Sequence, residues 1–302
     1  MAQPLHRPRL QQCGAGPARC WYGRCIVSSG VRKITTEADC LHLLQVTDTH
    51  LSRDEGGTLL GLDTDFSLQQ VIQLAQRERG QFDLVLATGD ISDHGAQESY
   101  IRAAAYMDSF NAPVAWLVGN HDCADTMTST LGGDEGLDRA LQAGSWLIVM
   151  LNSQIPGEVG GELGPEELEW LQRCLDHAAT ESLHCLVCLH HHPVPMNSGW
   201  IDEQMVADRE AFFALLDQYD CVRGVLWGHV HQLHESERSS VKLMSTPSSC
   251  IQFAPGSHGF KVDDQPPGYR WLDLYADGRI ETGISRVQDV EFSVDLDSSG
   301  YL

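Results

Sequence analysis

Apolar runs of strand length recur along the chain at Leu41–Val46, Phe82–Ala87, Pro113–Val118, Trp146–Leu151, Leu183–Leu189 and Val222–Trp227. Short continuous apolar runs of this kind read as strands buried on both faces. Helical patterns separate several of them. Residues 66–79 place Phe66, Val71, Ile72 and Ala75 on one face and stop before Gly80, a residue type favoured just past a helix end. Residues 165–178 open at Pro165 with Glu166 and Glu167 in the first turn, where proline and acidic side chains are both favoured. Residues 208–218 carry Phe212, Phe213, Leu215 and Leu216, and a further helical stretch starts near Ala96. Strands dominate the end of the chain, at Val241–Ser245, Trp271–Tyr275 and Arg279–Ser285, with Ala276-Asp277-Gly278 as a turn. Alternating strands and helices predict an α/β domain. With no internal repeat and no linker between two cores, one domain is expected over residues 41–285, followed by a tail at 286–302.

Residues 1–40 stand apart. They show neither periodicity over their first thirty positions, and they hold Cys13, Cys20, Cys25 and Cys40 among Pro, Gly and Arg. The cysteine spacings match no zinc pattern, so the expectation is a disordered extension. Alternatively, translation starts near Val31.

Composition narrows the function classes. The 302 residues carry 20 Lys and Arg against 42 Asp and Glu, a net charge of -22. The first forty residues hold +4 of this and the remainder -26. Phosphate-backbone binding needs clustered basic residues, so nucleic acid is excluded as a general partner. Apolar content of 42% supports a full core. No run reaches the ~18 apolar residues of a membrane span, and the N-terminus lacks the apolar core of a secretory signal. The cysteine density is below that of disulfide-built secreted scaffolds. These features point to a reducing, cytoplasmic setting.

The 14 histidines direct attention to metals, and the strand ends show where they collect. Leu43–Val46 is followed by Thr47-Asp48-Thr49-His50, Phe82–Ala87 by Thr88-Gly89-Asp90-Ile91-Ser92-Asp93, and Pro113–Val118 by Gly119-Asn120-His121-Asp122. Leu183–Leu189 is followed by His190-His191-His192-Pro193, and Val222–Trp227 by Gly228-His229-Val230-His231. Ligands of open α/β sheets bind at the carboxyl ends of strands. Strands sharing a sheet would therefore bring the five clusters together. Asp48 and His50, like His229 and His231, are two apart, so each pair can grip one ion from extended backbone. Carboxylate, imidazole and amide donors suit Mn, Fe, Zn or Co rather than Ca. Seven such donors exceed one tetrahedral site and fit two ions sharing a carboxylate. Gly89 and Gly119 permit the tight turns that bring the next residue close. Taken singly, each cluster reads equally as ordinary loop chemistry. Their combined order is what carries specificity.

That ordered set resembles the calcineurin-like metallophosphoesterase family over roughly residues 41–285. The resemblance implies a four-layer αββα sandwich (α/β, or α+β) of two mixed sheets flanked by helices. It also implies two divalent ions. Asp48, His50, Asp90 and His231 would hold the first, and Asp90 would bridge to a second held by Asn120, His191 and His229. The family's ligand lies two residues before proline, which selects His191 over His190. Further segments narrow the resemblance to bacterial class III phosphodiesterases of 3′,5′-cyclic AMP. They are His190–Pro193 followed by Ser198-Gly199-Trp200-Ile201-Asp202, the stretch Thr246–Phe253 with Pro267-Gly268-Tyr269-Arg270, and Gly57-Thr58-Leu59-Leu60-Gly61.

The activity so implied is hydrolysis of cyclic AMP to 5′-AMP, lowering cellular cyclic AMP. His50, Asp90, Asn120, His121 and His231 would contact the substrate. Two divalent ions supply hydroxide at neutral pH and offset phosphoryl charge, so an acidic protein can take an anionic ester. In-line attack opposite the ribose 3′ oxygen would require a proton for the leaving group. His121 is placed for that role, and Asp93 is the family's usual partner for it. Asp93 reads equally as the N-cap of the helix near Ala96. Trp200 offers a face to a nucleobase or is a packed loop residue. Cys185 and Cys188 point to opposite faces of their strand and read as core thiols. Other phosphodiesters, nucleotides or phosphomonoesters as substrates, a non-catalytic binding role on the same fold, and a homodimer all stay open at this point.

Overall fold

The computed structural model describes residues 30–36, 39–133 and 136–300. The chain begins with β1 (Arg32–Ile34), β2 (Cys40–Val46), β3 (Thr58–Leu59) and β4 (Leu62–Asp63). It continues through α1 (Thr64–Arg79), β5 (Leu84–Thr88), α2 (Gln97–Met107), β6 (Val114–Leu117) and α3 (Ala124–Leu131). The middle comprises β7 (Ala140–Ala143), β8 (Trp146–Leu151), α4 (Gly164–Glu181), β9 (His184–Leu189), the single turn α5 (Gly199–Asp202), α6 (Arg209–Leu216) and β10 (Val222–Trp227). The end comprises β11 (His234–Arg238), β12 (Val241–Ser245), β13 (Gln252–Phe253), β14 (Val262–Asp263), β15 (Gly268–Tyr275) and β16 (Ile280–Arg286).

Two large sheets form, one in the order β16-β15-β2-β5-β6 and one in the order β1-β7-β8-β9-β10-β12-β11, beside the two-stranded pairs β3-β4 and β13-β14. Both are mixed. In the first, β2, β5 and β6 run parallel while β15 opposes β2 and β16. In the second, β8, β9, β10 and β12 run parallel, while β7 opposes β8 and β11 opposes β12.

Side-chain alternation, which sends neighbouring residues to opposite faces, explains the layering. Leu41 and Leu43 of β2 and Leu84 and Leu86 of β5 meet Ile148, Leu186 and Leu226 in a core between the sheets. Leu44, Val46, Val85 and Ala87 face the other way, onto α1 and α2. Cys185, Val187 and Leu189 of β9 pack beneath α4 and α6, while Leu186 and Cys188 enter the inter-sheet core. The two cysteines therefore point to opposite faces, as expected. The result is the four-layer αββα sandwich. Each fully buried Leu, Ile or Phe contributes about 1.5–3 kcal/mol. The three layers of apolar packing thus outweigh the surface ion pairs, worth about 0–1 kcal/mol each.

Two boundaries and one helix face differ from expectation. Arg32–Ile34, assigned to the loose head, pairs in parallel with β7 as an edge strand. Edge pairing uses main-chain bonds and leaves no alternation to read. Residues 1–29 and 37–38 lie outside the described residues, so the expectation for most of the head falls there. The stretch after β16, expected as a tail, packs on the domain. Val287 is buried, Phe292 and Val294 join a small core with Leu59 and Phe253, and the Asp295 amide donates to the Leu60 carbonyl at 2.8 Å. Phe66 is exposed rather than on the buried face of α1, with its ring 6.1 Å from Phe292. No helix among the described residues is long and apolar enough to cross a membrane.

Candidate metal centre

The five strand-end clusters converge, although not within one sheet. β2, β5 and β6 deliver theirs from the first sheet, and β9 and β10 from the second. The site lies where the carboxyl ends of the two sets of parallel strands meet. Main-chain bonds clamp the loops there. The Asp48 and His50 amides donate to the carbonyls of Gly89 and Asp90 at 3.0 and 2.9 Å. Asp48, His50, Asp90, His229 and His231 all hold positive φ, between 46° and 64°. Non-glycine residues adopt this region at a cost of about 1–3 kcal/mol, typically at functional sites. Glycine would relieve the strain but would remove the donor. Glycine is used instead where space is missing. A side chain on Gly119 would overlap the Asp90 carboxylate, on Gly89 the His190 ring, and on Gly228 Thr47 and Asp48.

Two groups of donor atoms result. Asp48, His50 and His231 form one, with the His50 and His231 Nε2 atoms 3.3 Å apart and His231 Nε2 3.4 Å from Asp48 Oδ1. Asp90 lies beside both groups, 3.8 Å from His50 Nε2 and 3.2 Å from His190 Nε2. Asn120 Oδ1 lies 3.0 Å from His229 Nδ1 and 3.2 Å from His190 Nε2. His190 Nδ1 is held by the Thr88 carbonyl at 2.9 Å, which fixes the ring and leaves Nε2 toward the carboxylates. His191, the residue expected from its distance to proline, is turned differently. Its Nδ1 meets Ser153 Oγ at 2.8 Å, and its Nε2 is buried without a hydrogen-bond partner within the group His190, His191 and His229.

The electrostatics show a site that demands positive charge. Asp48 and Asp90 are at most 2% exposed. Burial raises the Asp90 pKa, but His190, His121 and His50 hold it well below the usual carboxylate range. Burial opposes charge on His190, yet Asp90 and Asp48 push its pKa up to about 9. Burial lowers the His50 pKa and holds those of His229 and His191 well below their ordinary range. Metal ligands bind in their deprotonated forms, so a cation here would displace the proton that Asp90 and Asp48 otherwise favour on His190. With the His229 ring beside Asp90, Asn120 and His190 and its Nε2 buried without a hydrogen-bond partner, the donor set fits divalent metal.

His121 and Asp93 flank this cluster. The His121 amide donates to Asp90 Oδ1 at 2.8 Å, and its Nδ1 lies 3.1 Å from the Asp93 carbonyl and 3.7 Å from Oδ1. The Asp93 carboxylate also lies 3.4 Å from His50 Nδ1 and 3.2 Å from His94 Nε2. It does not cap α2. The N-cap is Ala96, which makes no side-chain cap, and the Ala96 amide bonds Ser92 Oγ instead.

Two organising residues carry no role in the sequence reading. Asp122 accepts from the amides of Ser92, Gly119 and Ile91 and from the Tyr100 hydroxyl. It thereby ties the loops after β5 and β6. Burial and the nearby Asp90 push its pKa up to about 7. Phe253 stacks on the His231 ring, with centroids 4.1 Å apart and planes at 9°. Asp122 was visible as the last residue of Gly119-Asn120-His121-Asp122. Nothing in the sequence signalled Phe253 as a support for His231.

Comparison with known proteins agrees with this geometry. The family model of the calcineurin-like phosphoesterases matches residues 41–233. The curated 3′,5′-cyclic adenosine monophosphate phosphodiesterase CpdA of Pseudomonas aeruginosa is 45% identical over 266 residues, covering 88% of this chain and 97% of that protein. A 3′,5′-cyclic-nucleotide phosphodiesterase of Nostoc sp. is 38% identical, covering 82% of this chain and 92% of its own. Among solved structures, a dimetal phosphatase from Danio rerio matches with TM-score 0.57 at 16% identity, covering 82% of this chain and 99% of that one. A purple acid phosphatase from yellow lupin matches with TM-score 0.61 at 14% identity, covering 84% of this chain and 53% of that one. These two support the fold alone. With the family model spanning most of the domain and a curated relative matched over nearly its whole length, the chain belongs to the calcineurin-like phosphoesterase family.

Proposed function

We propose that this chain is a cytoplasmic phosphodiesterase that hydrolyses 3′,5′-cyclic AMP to 5′-AMP and so lowers cellular cyclic AMP. The observation that carries the reading is the buried Asp, Asn and His cluster opening into a cavity bordered by His121, in a chain so similar to curated cyclic-AMP phosphodiesterases. Asp48, His50, Asp90 and His231 would hold a first divalent ion, and Asp90, Asn120, His229 and His190 a second. His190 takes the place first given to His191 because its Nε2 is the one beside Asp90 and Asn120. Fe, Mn, Zn and Co all suit these donors.

Bound there, the two ions would lower the pKa of water to near neutrality and offset the charge of the phosphoryl oxygens. The remaining work falls to the chain. His50, Asp90, Asn120, His121 and His231 border the position of the phosphoryl group. His121 donates a proton to the leaving 3′ oxygen. With Nδ1 engaged by Asp93, that transfer uses Nε2. The Asp93 carbonyl, 3.1 Å from Nδ1, fixes the tilt of the ring, with the Asp93 carboxylate 3.7 Å from the same nitrogen.

The test is turnover by metal-loaded protein of 3′,5′-cyclic AMP, 3′,5′-cyclic GMP, 2′,3′-cyclic AMP and phosphomonoesters, with Asn120→Ala as control. Preferred turnover of 3′,5′-cyclic AMP is the expected result. No turnover of any cyclic nucleotide would overturn the substrate, and turnover of phosphomonoesters alone would move the enzyme to another class.

A further inference from the structure

A cavity of about 220 Å³ opens from Asp90 and Asn120 toward an outer wall of Trp200, Phe253, Phe260 and Gln204. Its size suits one mononucleotide rather than a polymer. The wall is built rather than incidental. Trp200 meets Phe253 and Phe260 edge to face at 5.0 and 5.2 Å, and the two Phe rings meet at 5.5 Å. The Trp200 indole N–H donates to Ser257 Oγ at 3.1 Å, and buried Ser198 accepts from the Gly256 amide at 2.9 Å. These bonds fasten the loop after β9 to the loop between β13 and β14. Because Phe253 stacks on His231, the wall has a fixed position relative to the phosphoryl site.

Three aromatic rings beside the proposed phosphoryl site match a flat, apolar group carried on a phosphate. Gln204 adds a polar edge. Its Nε2 reaches the Trp200 carbonyl only at 3.4 Å, a weak bond that a better partner displaces at little cost. A carboxamide presents one donor face and one acceptor, the pattern that pairs with the N6 amine and N7 of adenine. On the same edge guanine offers two acceptors.

We propose that Trp200, Phe253 and Phe260 form the slot for the nucleobase, with Gln204 reading its edge and favouring adenine over guanine. This rests on the cyclic-nucleotide reading above and adds how the base is recognised.

The test compares 3′,5′-cyclic AMP with the base-free ester ribose 3′,5′-cyclic phosphate, followed by ³¹P NMR. Stacking of one base on an aromatic ring corresponds to roughly a 10- to 100-fold effect in kcat/KM. Phe260→Ala is expected to lower the ratio of kcat/KM for cyclic AMP to that for the base-free ester by that factor, chiefly through KM. Phe260→Tyr keeps the wall and should restore most of the ratio. Gln204→Ala should lower the preference for cyclic AMP over cyclic GMP about tenfold. A ratio unmoved by Phe260→Ala overturns the slot, and an unmoved purine preference in Gln204→Ala overturns the edge contact. If the wild type turns over no cyclic nucleotide, the phosphodiesterase reading fails instead. The slot is then judged by calorimetric binding of 5′-AMP against ribose 5-phosphate. Weaker 5′-AMP binding in Phe260→Ala supports it, and equal loss of both ligands overturns it.

Discussion

Replacing His190 by alanine removes one of four donors that meet beside Asn120. His190 Nε2 lies 3.2 Å from both Asp90 Oδ2 and Asn120 Oδ1, and its Nδ1 is tied to the Thr88 carbonyl at 2.9 Å. Even residues that only orient a metal ligand are worth about 10–100-fold in affinity. Loss of a donor itself should therefore weaken the second ion by more than about 100-fold, or more than about 3 kcal/mol at 1.4 kcal/mol per decade. His191→Ala removes a ring whose Nδ1 is spent on Ser153 and whose centroid is 5.0 Å from that of His190. It should stay within the range of an orienting residue. The assay is elemental analysis after equilibrium dialysis at fixed free Mn²⁺, with electron paramagnetic resonance to separate coupled pairs from single ions. His190→Gln, closer in volume, controls for packing. The expected outcome is one ion lost in both His190 variants and two retained in His191→Ala. Loss of an ion in His191→Ala with retention in His190→Ala would refute the assignment.

Three further outcomes follow from the same geometry. His121→Ala should reduce turnover far more than metal content, whereas Asp90→Ala should lose both. Equal metal loss in the two variants, measured on the same dialysed samples, would contradict the division of roles. Arg270 is fully buried, donating to Glu235, Thr246, Thr282 and the Ser245 carbonyl, and so links β15 of one sheet to β12 of the other. Glu235 is half exposed, so the cost of losing Arg270 lies mainly in the acceptors left without a donor, the Ser245 carbonyl foremost, at about 1–3 kcal/mol. Urea unfolding of Arg270→Leu should show a lower midpoint with unchanged slope, and a loss below about 1 kcal/mol would contradict this account. Burial raises the Asp273 pKa, but Arg79 and His42 hold it below the ordinary value. A carboxylate so depressed stabilises the fold above its unfolded pKa of about 3.9, and that stability is lost as pH falls through the folded value. Between pH 6 and 3, Asp273→Asn should flatten the decline in unfolding free energy. An unchanged slope would remove Asp273 from the acid response.

The strands, most helices and the donor types were legible in the sequence because each depends on local pattern. Apolar runs of four to eight residues mark buried strands, and a fixed period of two sends Cys185 and Cys188 to opposite faces. Small polar clusters at strand ends read as a site from their order alone.

Only the tertiary structure decided the rest. The five clusters meet across two sheets, which no periodicity encodes, because stacking of sheets is a property of their faces together. Among three successive histidines outside regular structure, direction depends on the local φ and ψ and on what packs above each ring. His190 is therefore aimed at Asp90, and His191 at Ser153. Asp93 preceded a helix as an N-cap would, yet His50, His121 and His94 surround its carboxylate. Arg32–Ile34 joined an edge, and residues beyond Arg286 packed on a small core, through contacts distant in sequence. Sequence by itself determined which atoms could bind a cation. The packing of the two sheets determined which of those atoms meet, because distance and direction between strand ends arise only when both cores are complete.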